Sequence, residues 1–241
     1  PDYSASTLFF SNIMDDWQLM IDRWAIRDAV IDDNDNLWIA SFTNGILRYN
    51  LKTKNQEYYK DEKLGAKTLE TAIWCLAKGK SGQIWAGTED KGIIKINSQN
   101  NDVKFYRHIS DDSSTISSNH VKCIYVDKDG TLWIGTGGAG LCHFDPLKEK
   151  VIKTYTVEYG LSNNVIYGIL EDNKNNLWLT TDNGLTCFNK KTKECRIFTP
   201  SNGLQNLEFA INSYYKNNEG EFFIGGAEGF DRFFPDKITL N

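Results

Sequence analysis

Apolar residues in this chain fall in short runs of about four to eight, broken by polar turns, as half-buried strands require. "VKCIYVD" (Val121 to Asp127) and "VIYGILED" (Val165 to Asp172) are two such runs. Each is followed by a Gly-, Asn- or Asp-bearing turn, "KDGT" or "NKNN", whose residues tolerate positive φ and close a tight hairpin. A second apolar run then carries a tryptophan: "LWIGT", "LWLTT", "IWAGT". A glycine-bearing loop leads to a third run, such as "GLCHFD" or "GILRYN", and a fourth closes the unit: "QEYYK", "VKFYRH", "VIKTYTV" or "CRIFT". No segment sustains a 3.6-residue period over three turns, so helices should be rare. Asp16 to Arg27 ("DWQLMIDRWAIR") is the one ambiguous stretch and reads as strand or irregular structure.

The unit recurs. The marker aromatics Trp38, Trp85, Trp133, Trp178 and Phe223 are spaced 47, 48, 45 and 45 residues apart. Four short strands at that period predict an all-β fold, a β-propeller of four-stranded antiparallel blades. The repeats run approximately over 27–60, 71–110, 120–158, 164–200 and 206–241, within one propeller or partial propeller domain. A closed ring of five or six blades, or an arc of a larger ring, fits this count. The tryptophans are expected between stacked blades, each ring burying on the order of 150–250 Å².

"LSNNVIYGILEDNKNNLWLTTDNGL" (Leu161 to Leu185) and "ISSNHVKCIYVDKDGTLWIGTGGAGL" (Ile116 to Leu141) resemble the two-component regulator propeller repeat. The units around Trp38 and Trp85 match it more loosely, with Ala40 in place of a glycine and Ala86 intervening. "NGLQNLEFAINSYYKNNEGEFFIGGAEGFDRFFPDKIT" (Asn202 to Thr239) is similar to the last blade of such sensors, with Ile224 where a phenylalanine is common. The resemblance implies the C-terminal part of a seven-bladed ring in the periplasmic sensor region of a membrane-anchored hybrid histidine kinase. It further implies an oligosaccharide ligand, control of polysaccharide utilisation genes, and self-association through the ectodomain.

Composition narrows the alternatives. A net charge of −5 without a basic cluster argues against nucleic acid as a partner. No apolar run approaches the ~18 residues that span a bilayer, and Pro1 to Ser6 lacks the pattern of a signal peptide. Five cysteines with no CxxC and three scattered histidines indicate neither a disulfide framework nor a metal site, and no cofactor is expected. "VDKDGTLW" departs from the Asp-box of sialidase-type propellers. "GTGGAG" (Gly135 to Gly140) precedes a strand, so no helix N-terminus is available to hold a phosphate.

A ligand is expected on one propeller face, where the leads into the innermost strands meet the loops between second and third strands. Those leads bring Trp24, Arg27, Glu70, Trp74, Asn119, His120, Asn163, Asn164, Tyr167, Asn206, Glu208 and Phe209. The loops add Asn44, Glu89, Asp90, Asp182, Asn183 and Glu228. Rings beside amides and carboxylates suit sugar C–H faces and hydroxyls; alternatively, the "SNN" and "SSN" leads cap turns. No catalytic set is evident, and a non-catalytic sensor is the preferred reading. A propeller-fold glycosidase, with a carboxylate pair drawn from Glu70, Asp90, Asp182 and Glu228, or a lyase is the first alternative. A structural dimerisation platform is the second.

Overall fold

The computed structural model describes residues 25–59 and 71–238. Trp24, Glu70, most of the Asp16 to Arg27 stretch and the last three residues lie outside the described residues.

Among the described residues, nineteen strands form five antiparallel sheets. The first blade is β1 (Ile26–Ile31), β2 (Asn36–Ser41), β3 (Gly45–Asn50) and β4 (Gln56–Tyr59). β5 (Ile73–Lys78), β6 (Gln83–Thr88), β7 (Ile93–Asn97) and β8 (Val103–Tyr106) form the second. The third holds β9 (Val121–Val126), β10 (Leu132–Thr136), β11 (Leu141–Asp145) and β12 (Lys150–Tyr155). The fourth holds β13 (Ile166–Glu171), β14 (Asn176–Thr181), β15 (Gly184–Asn189) and β16 (Cys195–Phe198). The fifth has three described strands, β17 (Phe209–Lys216), β18 (Phe222–Gly226) and β19 (Gly229–Phe233). Among the described residues, helix is limited to three three-residue 3-10 turns. The all-β propeller read from the repeat is therefore the architecture found.

Blades stack through the tryptophans. Trp38, Trp85, Trp133 and Trp178 are each at most 2% exposed. Each packs on the next blade: Trp38 on Ile84, Ala86, Ile94 and Ile96; Trp85 on Leu132, Ile134 and Phe144; Trp133 on Leu177, Leu179 and Phe188; Trp178 on Phe222 and Ile224. Truncating such a ring to alanine costs about 3–5 kcal/mol. Phe223, at the same register position, is only half-buried.

The polar turn fixes each ring's orientation. In the first, third and fourth blades an aspartate six residues before the tryptophan accepts its indole N–H: Asp32, Asp127 and Asp172, each at 2.9 Å. Asp32 and Asp172 also take the backbone and side-chain N–H groups of Asn36 and Asn176. The turn sequence thus closes the hairpin and sets the inter-blade ring in one move. The five cysteines are unpaired, four of them buried. They serve as small apolar fillers, and burial pushes their thiols up.

Candidate functional site

The innermost strands of the first four blades share a β-bulge. Register shifts by one residue between Ile26 and Asp28, Ile73 and Cys75, Val121 and Cys123, and Ile166 and Gly168. The extra residues are Arg27, Trp74, Lys122 and Tyr167, and all sit eleven positions before their blade's tryptophan. A bulge leaves a residue out of the ladder and re-aims its side chain. The fold thus points four large functional side chains out at one end of the propeller.

These side chains meet their neighbours laterally. The Arg27 guanidinium lies 4.8 Å from the Phe42 ring centroid and 4.9 Å from that of Trp74. The Lys122 ammonium lies 3.9 Å from the Trp74 centroid. The indole is therefore contacted by two cations, an arrangement that favours its quadrupole. Its N–H donates to Glu89 Oε2 in the loop after β6. Lys122 Nζ is 3.8 Å from the same oxygen. His120 Nε2 is 3.1 Å from it, at an angle that leaves this nitrogen without a hydrogen bond. Burial pushes the His120 imidazole down, Lys122 adds to this, and Glu89 opposes it. Around the arc, burial together with the nearby Asp182 carboxylate pushes the Tyr167 phenol up to about 12. Exposed Glu208 stands near enough to Tyr167 to add to the effect.

The fifth blade behaves differently. Its first strand jumps register between Phe209 and Tyr214, so that a longer bulge leaves the ladder. Asn212, eleven residues before Phe223 and at φ 56°, crosses to the first two blades. Its side-chain amide donates to Arg27 O at 2.9 Å and to Trp74 O at 2.8 Å. The Tyr214 ring fills the space over Gly168, where a Cβ would come 2.2 Å from its Cδ1. On the same inner strands, Asp28 Oδ2 accepts Leu76 N at 2.7 Å. Burial raises the Asp28 carboxyl while that donor and Ala29 N oppose the rise. Asn212 and Tyr214 therefore tie the bulged backbones to the last blade.

Several predicted residues have other partners. Asn119 Oδ1 accepts His108 N, Asn163 Oδ1 accepts Val165 N, and Asn164 Oδ1 accepts Val157 N. Asn206, 2% exposed, accepts Glu228 N and donates to Asp231. These amides shape the leads into the inner strands. Glu228 is exposed at the end of the β18–β19 loop. Asp90 pairs with Lys91 at 2.7 Å. The glycine loop after β10 is also structural: Thr136 Oγ1 donates to Gly140 O, Ala139 N donates to Thr136 Oγ1, and the His120 ring packs on Gly137. Thr88 and Thr181 repeat the Thr136 bond in their own loops. The structure thus sets Tyr167 near Asp182 and Glu208, and around Trp74 it brings together Arg27, His120 and Glu89. Phe42 and Lys122 complete the group without having been singled out in the sequence. For Lys122 the signal was present, since it shares the eleven-residue offset.

Among the described residues, no group of three or more His, Cys, Asp and Glu is placed to hold a metal ion. Residues 115–138 and 160–183 match the family model described as "Two component regulator propeller", which is the resemblance drawn from those same units. The chain is 26% identical over 243 aligned residues to a Formosa agariphila protein named histidine kinase P4, covering all of this chain and 18% of that protein. It therefore spans about a fifth of the length of the curated relative it matches. The extracellular domain of a one component system from B. thetaiotaomicron superposes with a TM-score of 0.74 at 21% identity, over 89% of this chain and 30% of that one. That of a hybrid two component system from the same organism gives 0.72 at 18%, over 90% and 29%. The chain carries two-component regulator propeller repeats and has the fold of those extracellular domains.

Proposed function

We propose that this chain is a ligand-sensing, non-catalytic segment of the extracytoplasmic part of a two-component sensor kinase. Its ligand is an oligosaccharide, bound at the end of the propeller that carries Arg27, Trp74, Lys122 and Tyr167, and its output is control of polysaccharide utilisation. The observation that carries this reading is the set of four matched bulges, which spends ladder hydrogen bonds to present an aromatic, a phenol and two cations side by side. An indole beside fixed carboxylate and amine groups supplies what a sugar needs, a flat apolar face with donors and acceptors at its rim. The kinase named among the relatives supports the sensor role, and the shared fold agrees with an extracytoplasmic placement. The carboxylate nearest the indole is already engaged, Glu89 by Trp74, which suits binding better than glycoside hydrolysis.

Calorimetric titration of the intact ectodomain with a panel of oligosaccharides tests the proposal. Saturable binding of one class without turnover is expected. Hydrolysis of the bound sugar would replace the sensor with an enzyme, and a panel with no binder would remove the oligosaccharide.

A further inference from the structure

The second blade breaks the rule that its neighbours follow. Where Asp32, Asp127 and Asp172 hold their indoles, this blade has Gly79, six residues before Trp85. The indole edge lies against Gly79, where a Cβ would lie 2.7 Å from Trp85 Nε1. Among the described residues no acceptor takes that N–H. Beside it a cleft of about 350 Å³ opens between the second and third blades. It lies at the hairpin-turn end of the strands, opposite the bulged residues.

The cleft has a definite chemistry. Its floor and lip are Trp85, Val126, Pro146 and Leu147, the last 92% exposed. Lys95 extends its ammonium to 5.6 Å from the Trp85 centroid and forms no ion pair among the described residues. The nearby Glu149 is already taken by Lys104 and Tyr106. The two carboxylates on the cleft are satisfied by their own turns: Asp129 by Thr131, and Asp145 by Leu147 N, Lys148 N and the Lys148 ammonium. An unclaimed indole donor and an unpaired ammonium thus flank an apolar wall, where three other blades place a carboxylate of their own.

We propose that this cleft binds a small carboxylate with an apolar body, the carboxylate taking the place of the missing aspartate against Trp85 Nε1 and Lys95. The body lies against Trp85, Val126 and Leu147. The site is independent of the sugar-binding reading.

The test uses the full chain, ¹⁵N-labelled, with sodium phenylacetate as probe and phenylacetamide as the uncharged control. Of the seven tryptophans, the Trp85 indole N–H is expected to shift saturably with phenylacetate alone. Gly79→Asp supplies the carboxylate from the chain and is expected to abolish the response. Lys95→Gln, which leaves the core untouched, is expected to weaken binding about tenfold, the worth of one charge-assisted contact. No saturable indole shift, an equal response to the amide, or an unchanged response in Lys95→Gln would each overturn the proposal. So would an unchanged response in folded Gly79→Asp.

Discussion

Asp172→Ala isolates the role of the hairpin carboxylate. Asp172 is 2% exposed and accepts four N–H groups: Lys174 N at 2.9 Å, Asn176 N and Nδ2 at 2.8 Å each, and Trp178 Nε1 at 2.9 Å. Lys174 is exposed, so water replaces the first bond at little cost. The other three donors belong to buried residues, Asn176 at 7% and Trp178 at 2% exposure. A hydrogen bond to a charged acceptor contributes about 1.5–3 kcal/mol. Three would total more than single substitutions ordinarily cost, but water can enter from the exposed turn at 173–175 and recover part of the loss. The expected destabilisation is about 3–4 kcal/mol. Asp172→Asn keeps one acceptor but turns an amide donor towards the others, and should cost about 2 kcal/mol. Urea unfolding followed by far-UV circular dichroism gives the difference as a lowered midpoint. Asp129→Ala, on an exposed turn, is the control and should change stability by less than about 0.5 kcal/mol. If Asp172→Ala matched that control, the carboxylate would not be what seats the inter-blade ring.

Three further outcomes are expected. Trp74→Ala should leave the melting temperature nearly unchanged but weaken sugar binding about tenfold, because it removes a stacking face contacted by Arg27 and Lys122; calorimetry reads both parts. Gly168→Ala should destabilise by about 1–3 kcal/mol in thermal melts, since its Cβ meets the Tyr214 ring at 2.2 Å. Acid should unfold the propeller from the inter-blade contacts. Burial alone would raise the carboxyls of Asp32, Asp127 and Glu171, but the indole, amide and lysine donors on them outweigh it and hold all three low. Such groups contribute stability above their unfolded values near 3.8 and 4.5, and it is lost as pH falls through the lower folded values. A melting temperature that stayed flat from pH 6 to pH 3 would contradict that assignment.

The fold was legible because the repeat enforces it five times. An aromatic every 45–48 residues, framed by an Asp- or Asn-rich turn and a Thr- or Gly-rich loop, admits little besides a blade. The site was only partly legible. Asn119, Asn163, Asn164 and Asn206 look like ligand groups in the sequence, yet their amides hold turns; a string cannot show whether an amide faces backbone or solvent. Lys122 was hidden because a bulge, unlike a turn, has no residue signature, and an alternating strand would have placed it in the ladder. Only comparison across repeats exposes it, as the lysine that shares its offset with Arg27, Trp74 and Tyr167. Asn212 shares that offset too, but its blade uses the position to bridge the inner strands.

A crystal structure of the intact ectodomain with its bound oligosaccharide tests the central claim most directly. The account predicts a sugar ring on the Trp74 face, with hydroxyls within hydrogen-bonding distance of Lys122, Glu89 or Tyr167. Sugar bound only at the opposite, hairpin-turn end, or wholly on other parts of the ectodomain, would contradict it.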